Sequence, residues 1–231
     1  MTVLYEGALK QNNESFHVTL LSSKHIGQIL SLQNVVVEAL EDKGRLQPLS
    51  QEEFQYILEG NGMMIGAFIK NELIAFRALL VPPIDDEHLG LDIGLSEGEL
   101  HRVIYQEISN VHPNCRGNGM QKILATVIMD ELQKDDSKYD YVCCTVAPFN
   151  IPSLKDKFAQ GMEVAALKEK YGGSMRYVFV KELRKDIERD WSDVKSIPMS
   201  DASGQQTLLS EGYRGYKMEK TDDTFIVKFG R

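Results

Sequence analysis

Residues 107–124 read Glu-Ile-Ser-Asn-Val-His-Pro-Asn-Cys-Arg-Gly-Asn-Gly-Met-Gln-Lys-Ile-Leu, and they carry the chemistry that stands out in this chain. A carboxylate, Glu107, lies in a β-prone run. Arg116, Gly117, Asn118 and Gly119 follow, and then a helical pattern begins. Glycine at a helix start costs roughly 1 kcal/mol relative to alanine. A ligand that must touch the backbone explains that cost. The N-terminus of a helix offers unpaired N–H groups and a partial positive charge, so a strand, a bare basic turn and a helix together make a phosphate site. Gly117 and Gly119 keep Cβ atoms out of the way, and Arg116 adds charge. A helix start that is glycine-rich for packing alone is the other reading of the same residues.

Other phosphate motifs do not fit. The string GxxxxGK[ST] does not occur. Gly117-Asn118-Gly119 is followed by Lys122 where a dinucleotide fingerprint needs its third glycine for close helix–strand packing. Net charge is −8 over 231 residues, and no basic stretch is interleaved with aromatics, which argues against nucleic acid as a partner. No apolar run reaches the roughly 20 residues of a membrane helix. The first residues lack a basic start followed by an apolar stretch, so no secretion signal is expected. Cys115, Cys143 and Cys144 are odd in number, and two are adjacent in an apolar run. That suits a reducing, cytoplasmic setting. His88, His101 and His112 have no partner at metal spacing, so no metal is expected.

The elements that must position the turn are legible as patterns. FHVTLL (16–21) reads as a strand. Ile26, Ile29, Leu30, Leu32, Val36, Val37 and Leu40 predict a helix over 23–41. Ser50 and Glu53 stand at the capping-box interval before a helix at 50–59. GMMIGAFI and LIAFRALLV flank Lys70-Asn71-Glu72 as a hairpin. Residues 84–99 hold six acids, three glycines and no Lys or Arg, and read as a loop. A strand over 101–111 leads to the glycine turn. Met120, Ile123, Leu124, Val127, Ile128 and Leu132 then keep helical spacing. DYVCCTVA (140–147) reads as a central strand, a helix follows Pro152, and EVAALKE and MRYVFVKE form a hairpin around KYGGS. The order to residue 183 is β-α-α-β-β-β-α-β-α-β-β. Residues 184–199 read as a linker, and 200–231 as a helix and hairpin that docks on the main domain, since a hairpin alone is marginal in water.

This order and turn resemble the GNAT superfamily of acetyl-CoA-dependent N-acetyltransferases, whose central motif is Q/R-x-x-G-x-G/A after a strand ending in V-x-P. Val111-His112-Pro113 and Arg116-Gly117-Asn118-Gly119 match, with Asn114 at the first position. The superfamily's second motif is matched by Asn150, Ser153 and Gly161-Met162, while Lys157 takes the place of its tyrosine. TVAPFNIPSLKDKF and LKEKYGGSMRYVF look like a bacterial subfamily. The resemblance covers roughly 16–183 and implies a mixed, mostly antiparallel α/β sheet with helices on both faces, within a domain over 1–183. It implies acetyl-CoA in a splayed cleft between the fourth and fifth strands. The pyrophosphate would lie on residues 116–121, that is Arg116, Gly117, Asn118, Gly119, Met120 and Gln121. The pantetheine arm would pair with Ser109–Val111, with Asn150 and Ser153 nearby.

Transfer from a thioester to an amine needs a base and a proton source for the thiolate. By alternation Val103, Tyr105, Glu107, Ser109 and Val111 share one face, and Glu107 is the acid among them. It is the candidate base, against the alternative of a structural ion pair. Lys157 is the candidate at the leaving thiolate, against a solvated helix lysine. Tyr105 and Tyr171 are further phenols, and Cys143 and Cys144 read as small buried hydrophobes. Asn150 is also a candidate helix N-cap. The expected activity is direct acetyl transfer to a primary amine, small-molecule or peptide, in a ternary complex, and a homodimer is allowed. The alternative is a non-catalytic acyl-CoA-binding module acting as sensor or scaffold.

Overall fold

Apolar alternation resolves into strands and the 3.6-residue patterns into helices across residues 2–40, 46–134, 138–184, 190–222 and 224–231, which the computed structural model describes. Residue 41 of the expected first helix, residues 185–189 of the expected linker and residue 223 of the last turn lie outside them. Contacts divide the chain into two units: Met1–Pro82 with Ile104–Lys138, and Pro83–Val103 with Tyr139–Arg231.

In the first unit β1 (Val3–Ala8), β2 (Ser15–Leu20), β3 (Gly62–Ile69), β4 (Glu72–Leu80) and β5 (Val103–Val111) are neighbours in that order. Each pair is antiparallel. α1 (Ile26–Glu38) and α2 (Gln51–Leu58) bury Ile29, Leu32, Val36, Phe54 and Ile57 against Met64, Phe68, Phe76, Ala78 and Ile108 of one sheet face. Phe54 meets Phe76 edge-on at 5.7 Å. α2 begins where its box predicts: Glu53 N donates to Ser50 Oγ, and Ser50 N donates to the Glu53 carboxylate at 2.7 Å. On the opposite face the buried Arg77 donates to the Gln121 carbonyl, at 3.4 Å, in the helix that follows the glycine turn. Helices therefore cover both faces.

The second unit orders its strands β6 (Tyr141–Val146), β8 (Ser174–Glu182), β7 (Glu163–Lys170), β10 (Arg214–Lys220), β11 (Phe225–Gly230) and β9 (Lys195–Pro198). The stretch read as a linker differs from expectation. Lys195–Pro198 pairs with β11, and Trp191 stacks on Tyr216 at 5.0 Å. α6 (Ala202–Ser210) is tied inward by Gln205, which is fully buried. Gln205 accepts from the Tyr177 hydroxyl at 2.7 Å and donates to the carbonyls of Pro198 and Met199. The acidic stretch 84–99 is not an open loop. It forms α3 (Leu89–Asp92), and Glu97 starts a 3₁₀ segment running to Arg102. Lys170 pairs with Asp92 and Glu87, and Lys168 with Asp92, so basic residues 76 to 83 positions away neutralise part of the run. β1 also lies outside the expected order. It is an edge strand with Val3 and Tyr5 exposed, so it carries no apolar alternation to read.

Candidate functional site

β5 leads through a 3₁₀ turn (Pro113–Cys115) to the glycine turn and then α4 (Met120–Gln133). Gly117 (φ 82°) and Gly119 (φ 77°) are both left-handed, which explains why neither position carries a branched side chain. Between them Asn118 turns inward and is buried. Its Nδ2 donates to the carbonyls of Cys115 (3.0 Å) and Arg116 (3.4 Å), so this side chain holds the turn's shape. Arg116, Gly117 and Gly119 face solvent. Gly119 is the N-cap of α4, no side chain caps the helix, and no acid stands in its first turn. The first intrahelical bond runs from Ile123 N to Gly119 O, which leaves the amides of Met120, Gln121 and Lys122 ahead of it. A helix end with free amides of this kind can receive an anion.

The turn is braced by a segment that its sequence neighbours do not reveal. In the hairpin between β1 and β2, Gln11 N donates to Asn118 Oδ1 (3.3 Å) and Gln11 Nε2 to the Arg116 carbonyl (3.0 Å). Lys10 Nζ lies 3.9 Å from the place a Cβ on Gly119 would occupy.

Upstream, β5 departs from simple alternation. Ala78 is opposite Ile108 and Leu79 opposite Gln106, so Glu107 is the extra residue of a β-bulge. The expectation that Val103, Tyr105, Glu107, Ser109 and Val111 share one face is therefore corrected. Ser109 is opposite Arg77, and Arg77 Nη2 donates to Gln106 Oε1 at 2.7 Å, so Gln106 and Ser109 are on the α4 face. Tyr105 is opposite Leu80, which packs on the α1/α2 core. Ser109 Oγ donates to Gln121 Oε1 at 2.5 Å, and Gln121 Nε2 returns a 3.5 Å bond to the Ser109 carbonyl. Val111, buried, closes the strand opposite Ala75. Glu107 is half-buried, and its carboxyl is pushed up to about 7, first by loss of solvent and then by the charge of Glu53 on α2.

In the second unit, β6 runs into α5 (Ile151–Ala159). Asn150 Oδ1 accepts from Ser153 N at 3.4 Å, which makes Asn150 the N-cap. Lys157 is buried rather than solvated, and its ammonium is 3.2 Å from Asp156. Tyr171 is exposed, with its hydroxyl 3.1 Å from Thr145 Oγ1. Cys143 and Cys144 are buried mid-strand, and burial drives the Cys143 thiol far up. His88 Nδ1 accepts from Gly90 N, an internal cap, and burial lowers its basicity. Among the described residues no group of three or more His, Cys, Asp or Glu side chains is arranged around a metal position. No described helix is long and apolar enough to cross a membrane.

No protein-family model matches the sequence, and no curated protein matches it. Solved structures do. The ribosomal-protein-S18-alanine N-acetyltransferase of Escherichia coli superposes with a TM-score of 0.55 at 14% identity, over 77% of this chain and 99% of that one. A GNAT-family acetyltransferase from Streptococcus pneumoniae gives 0.54 at 14%, over 72% and 98%. The chain has the GNAT acetyltransferase fold. A third structure with this fold, a putative acetyltransferase from Salmonella typhimurium solved with its cofactor acetyl-CoA, gives 0.54 at 12% over 76% and 98%. Within this fold the glycine turn and β5 are legible from sequence, and three features around them are not: the bulge, the charge of Glu53 near Glu107 and the β1–β2 turn. Each depends on pairing between distant segments. The capping box did mark Glu53, though only as a helix start.

Proposed function

We propose that the protein is a cytoplasmic N-acetyltransferase that moves an acetyl group from acetyl-CoA to a primary amine by direct transfer in a ternary complex. The observation that carries the reading is the open N-terminus of α4 behind two left-handed glycines, reached from a strand whose bulge holds a carboxyl titrating near neutrality. In this reading the backbone amides over Arg116, Gly117, Asn118, Gly119, Met120 and Gln121 receive the pyrophosphate. Ser109 and Val111 offer strand-edge groups to the pantetheine, and Asn150 and Ser153 at the start of α5 are the donor-contact candidates of the second unit. Glu107 takes the proton from the attacking amine, the C–N bond forms, the C–S bond breaks, and the electron pair leaves on sulfur. Lys157 offsets that thiolate charge. The acetyltransferase domain spans 1–183, and 200–231 is an accessory helix and hairpin. The acceptor is a small-molecule or peptide amine, and a homodimer is compatible with the fold.

One observation favours the alternative of a non-catalytic acyl-CoA-binding module: the ammonium of Lys157 is already matched by Asp156. Calorimetry and a thiol-release assay with a panel of amines separate the two. Micromolar acetyl-CoA binding that is lost in Gly119→Val supports the site, and amine-dependent CoA release supports the enzyme. Unchanged affinity in a folded Gly119→Val protein would overturn the site.

A further inference from the structure

The turn between β1 and β2 has no part in the assignments above, yet it is built onto the glycine turn. Gln11 reaches residues 105 and 107 positions away through two hydrogen bonds. The same hairpin turn is closed by Leu9 N to Glu14 O and Asn13 N to Leu9 O, each 2.9 Å. These bonds fix the backbone on either side of Lys10. Its ammonium stands 3.9 Å from where a side chain on Gly119 would begin. That space is open because residue 119 is glycine, the residue directly before the unbonded amides of Met120 and Gln121. Lys10 is exposed, and it forms no ion pair with any described residue. A lysine with no carboxylate of its own, held at the mouth of an uncapped helix end, is matched to a group that arrives from outside with negative charge.

The geometry points to Lys10 as a ligand-binding residue that pairs with a phosphate group at the nucleotide end of the acyl donor. This rests on the acetyl-CoA reading of the turn. The N-terminal hairpin then belongs to the donor site. Two phosphates of that donor share the chemistry, the diphosphate and the 3′-phosphate of the ribose. A lysine acts on either as a point charge and needs no fixed fork geometry. The site would on this basis prefer CoA thioesters to thioesters that lack the nucleotide.

Calorimetric titration of the wild-type chain, Lys10→Ala, Lys10→Arg and Lys24→Ala with acetyl-CoA and with its 3′-dephospho form tests this. Lys24 is another exposed lysine of the first unit, in the Ser23–His25 turn, and is the control for overall charge. Loss of one charge-assisted contact in Lys10→Ala should weaken acetyl-CoA binding about tenfold. Lys10→Arg should retain most of the affinity and Lys24→Ala all of it. A loss seen with both donors assigns Lys10 to the diphosphate, and a loss confined to acetyl-CoA assigns it to the 3′-phosphate. Either supports the proposal. Wild-type affinity in Lys10→Ala, or an equal loss in Lys24→Ala, overturns it while leaving the glycine-turn site standing. A wild-type chain that binds neither donor overturns both.

Discussion

Among the strands of this protein that hand over to helices, β5 and β6 lead into junctions that treat their helix ends in opposite ways. At the start of α5 every early amide is accounted for: Ile151 N bonds the Phe149 carbonyl, Pro152 has no N–H, Ser153 N bonds the Asn150 side chain, and Leu154 N bonds the Asn150 carbonyl. At the start of α4 the N-cap is a glycine, and the polar side chain beside it, Asn118, is turned into the turn's own interior. One junction is closed by its sequence and the other is left open. An open helix end in water is a small loss of stability, since a good cap contributes about 1 kcal/mol. Retaining that loss while two glycines keep the approach clear is what the proposed donor site at α4 requires, whereas α5 has its own cap.

The strongest way to break the contrast is to close the open junction. Gly119→Asp tolerates the left-handed backbone better than a branched residue and places a carboxylate over the first-turn amides. The strain of a left-handed side chain costs about 1 kcal/mol and leaves the chain folded, while acetyl-CoA affinity falls about 100-fold or more through like-charge repulsion. Calorimetry with a parallel melting curve reads both, and retained affinity would mean the phosphates lie elsewhere.

Next in size is Glu107. If the open turn binds and the preceding bulge reacts, Glu107→Gln lowers turnover by about 100-fold with little change in acetyl-CoA affinity. With a carboxyl near 7, wild-type kcat/KM should fall tenfold per pH unit below about pH 7 as the base is protonated. Stability carries the matching sign. The folded-state value lies above the ordinary 4.5, so protonation favours the folded chain, and stability is lost as pH rises from about 4.5 through 7. Glu107→Gln should therefore raise the melting temperature at pH 8 and leave it unchanged at pH 4. A lower melting temperature at pH 8 would make Glu107 a structural ion-pair partner.

Smaller effects refine the picture. Glu53→Gln keeps the capping-box bond, because Gln serves at that position as well as Glu, but removes the charge that bears on Glu107. The acid limb of the rate profile should move to lower pH with the maximum rate little changed, and an unmoved limb would leave desolvation as its whole cause. At the closed junction, Asn150→Ala removes a cap and should cost about 1 kcal/mol, or roughly 2–4 °C in melting temperature. If acetyl-CoA affinity drops well beyond that stability change, Asn150 serves the donor as well as the helix.

How far each feature could be read from the chain follows from how local its cause is. The box at Ser50 and Glu53, the hairpin at Lys70–Glu72, the periodicity from Met120 and the glycine pair depend on neighbours within a few residues, and all fall where their patterns place them. The acidic stretch 84–99 was misread because its counter-charges, Lys168 and Lys170, come from another strand. Alternation along 103–111 failed at one residue because the bulge is a property of the β4–β5 register and not of β5 alone. β9 went unseen within a charged segment, since a four-residue edge strand exists through its partner β11.

The sequence by itself determined that a basic, glycine-bearing turn precedes an amphipathic helix and that an acid lies one strand-length upstream, because residue type and short-range geometry settle those matters. Tertiary structure alone decided three things: that Glu107 is the bulged residue, that Glu53 charges its surroundings, and that Lys10 and Gln11 lie on the glycine turn. These meetings join residues that lie between 27 and 109 positions apart. No local propensity encodes such a meeting. It arises when the sheet of the first unit is assembled, which sets Lys10 and Gln11 beside the glycine turn and Glu107 within reach of the Glu53 charge.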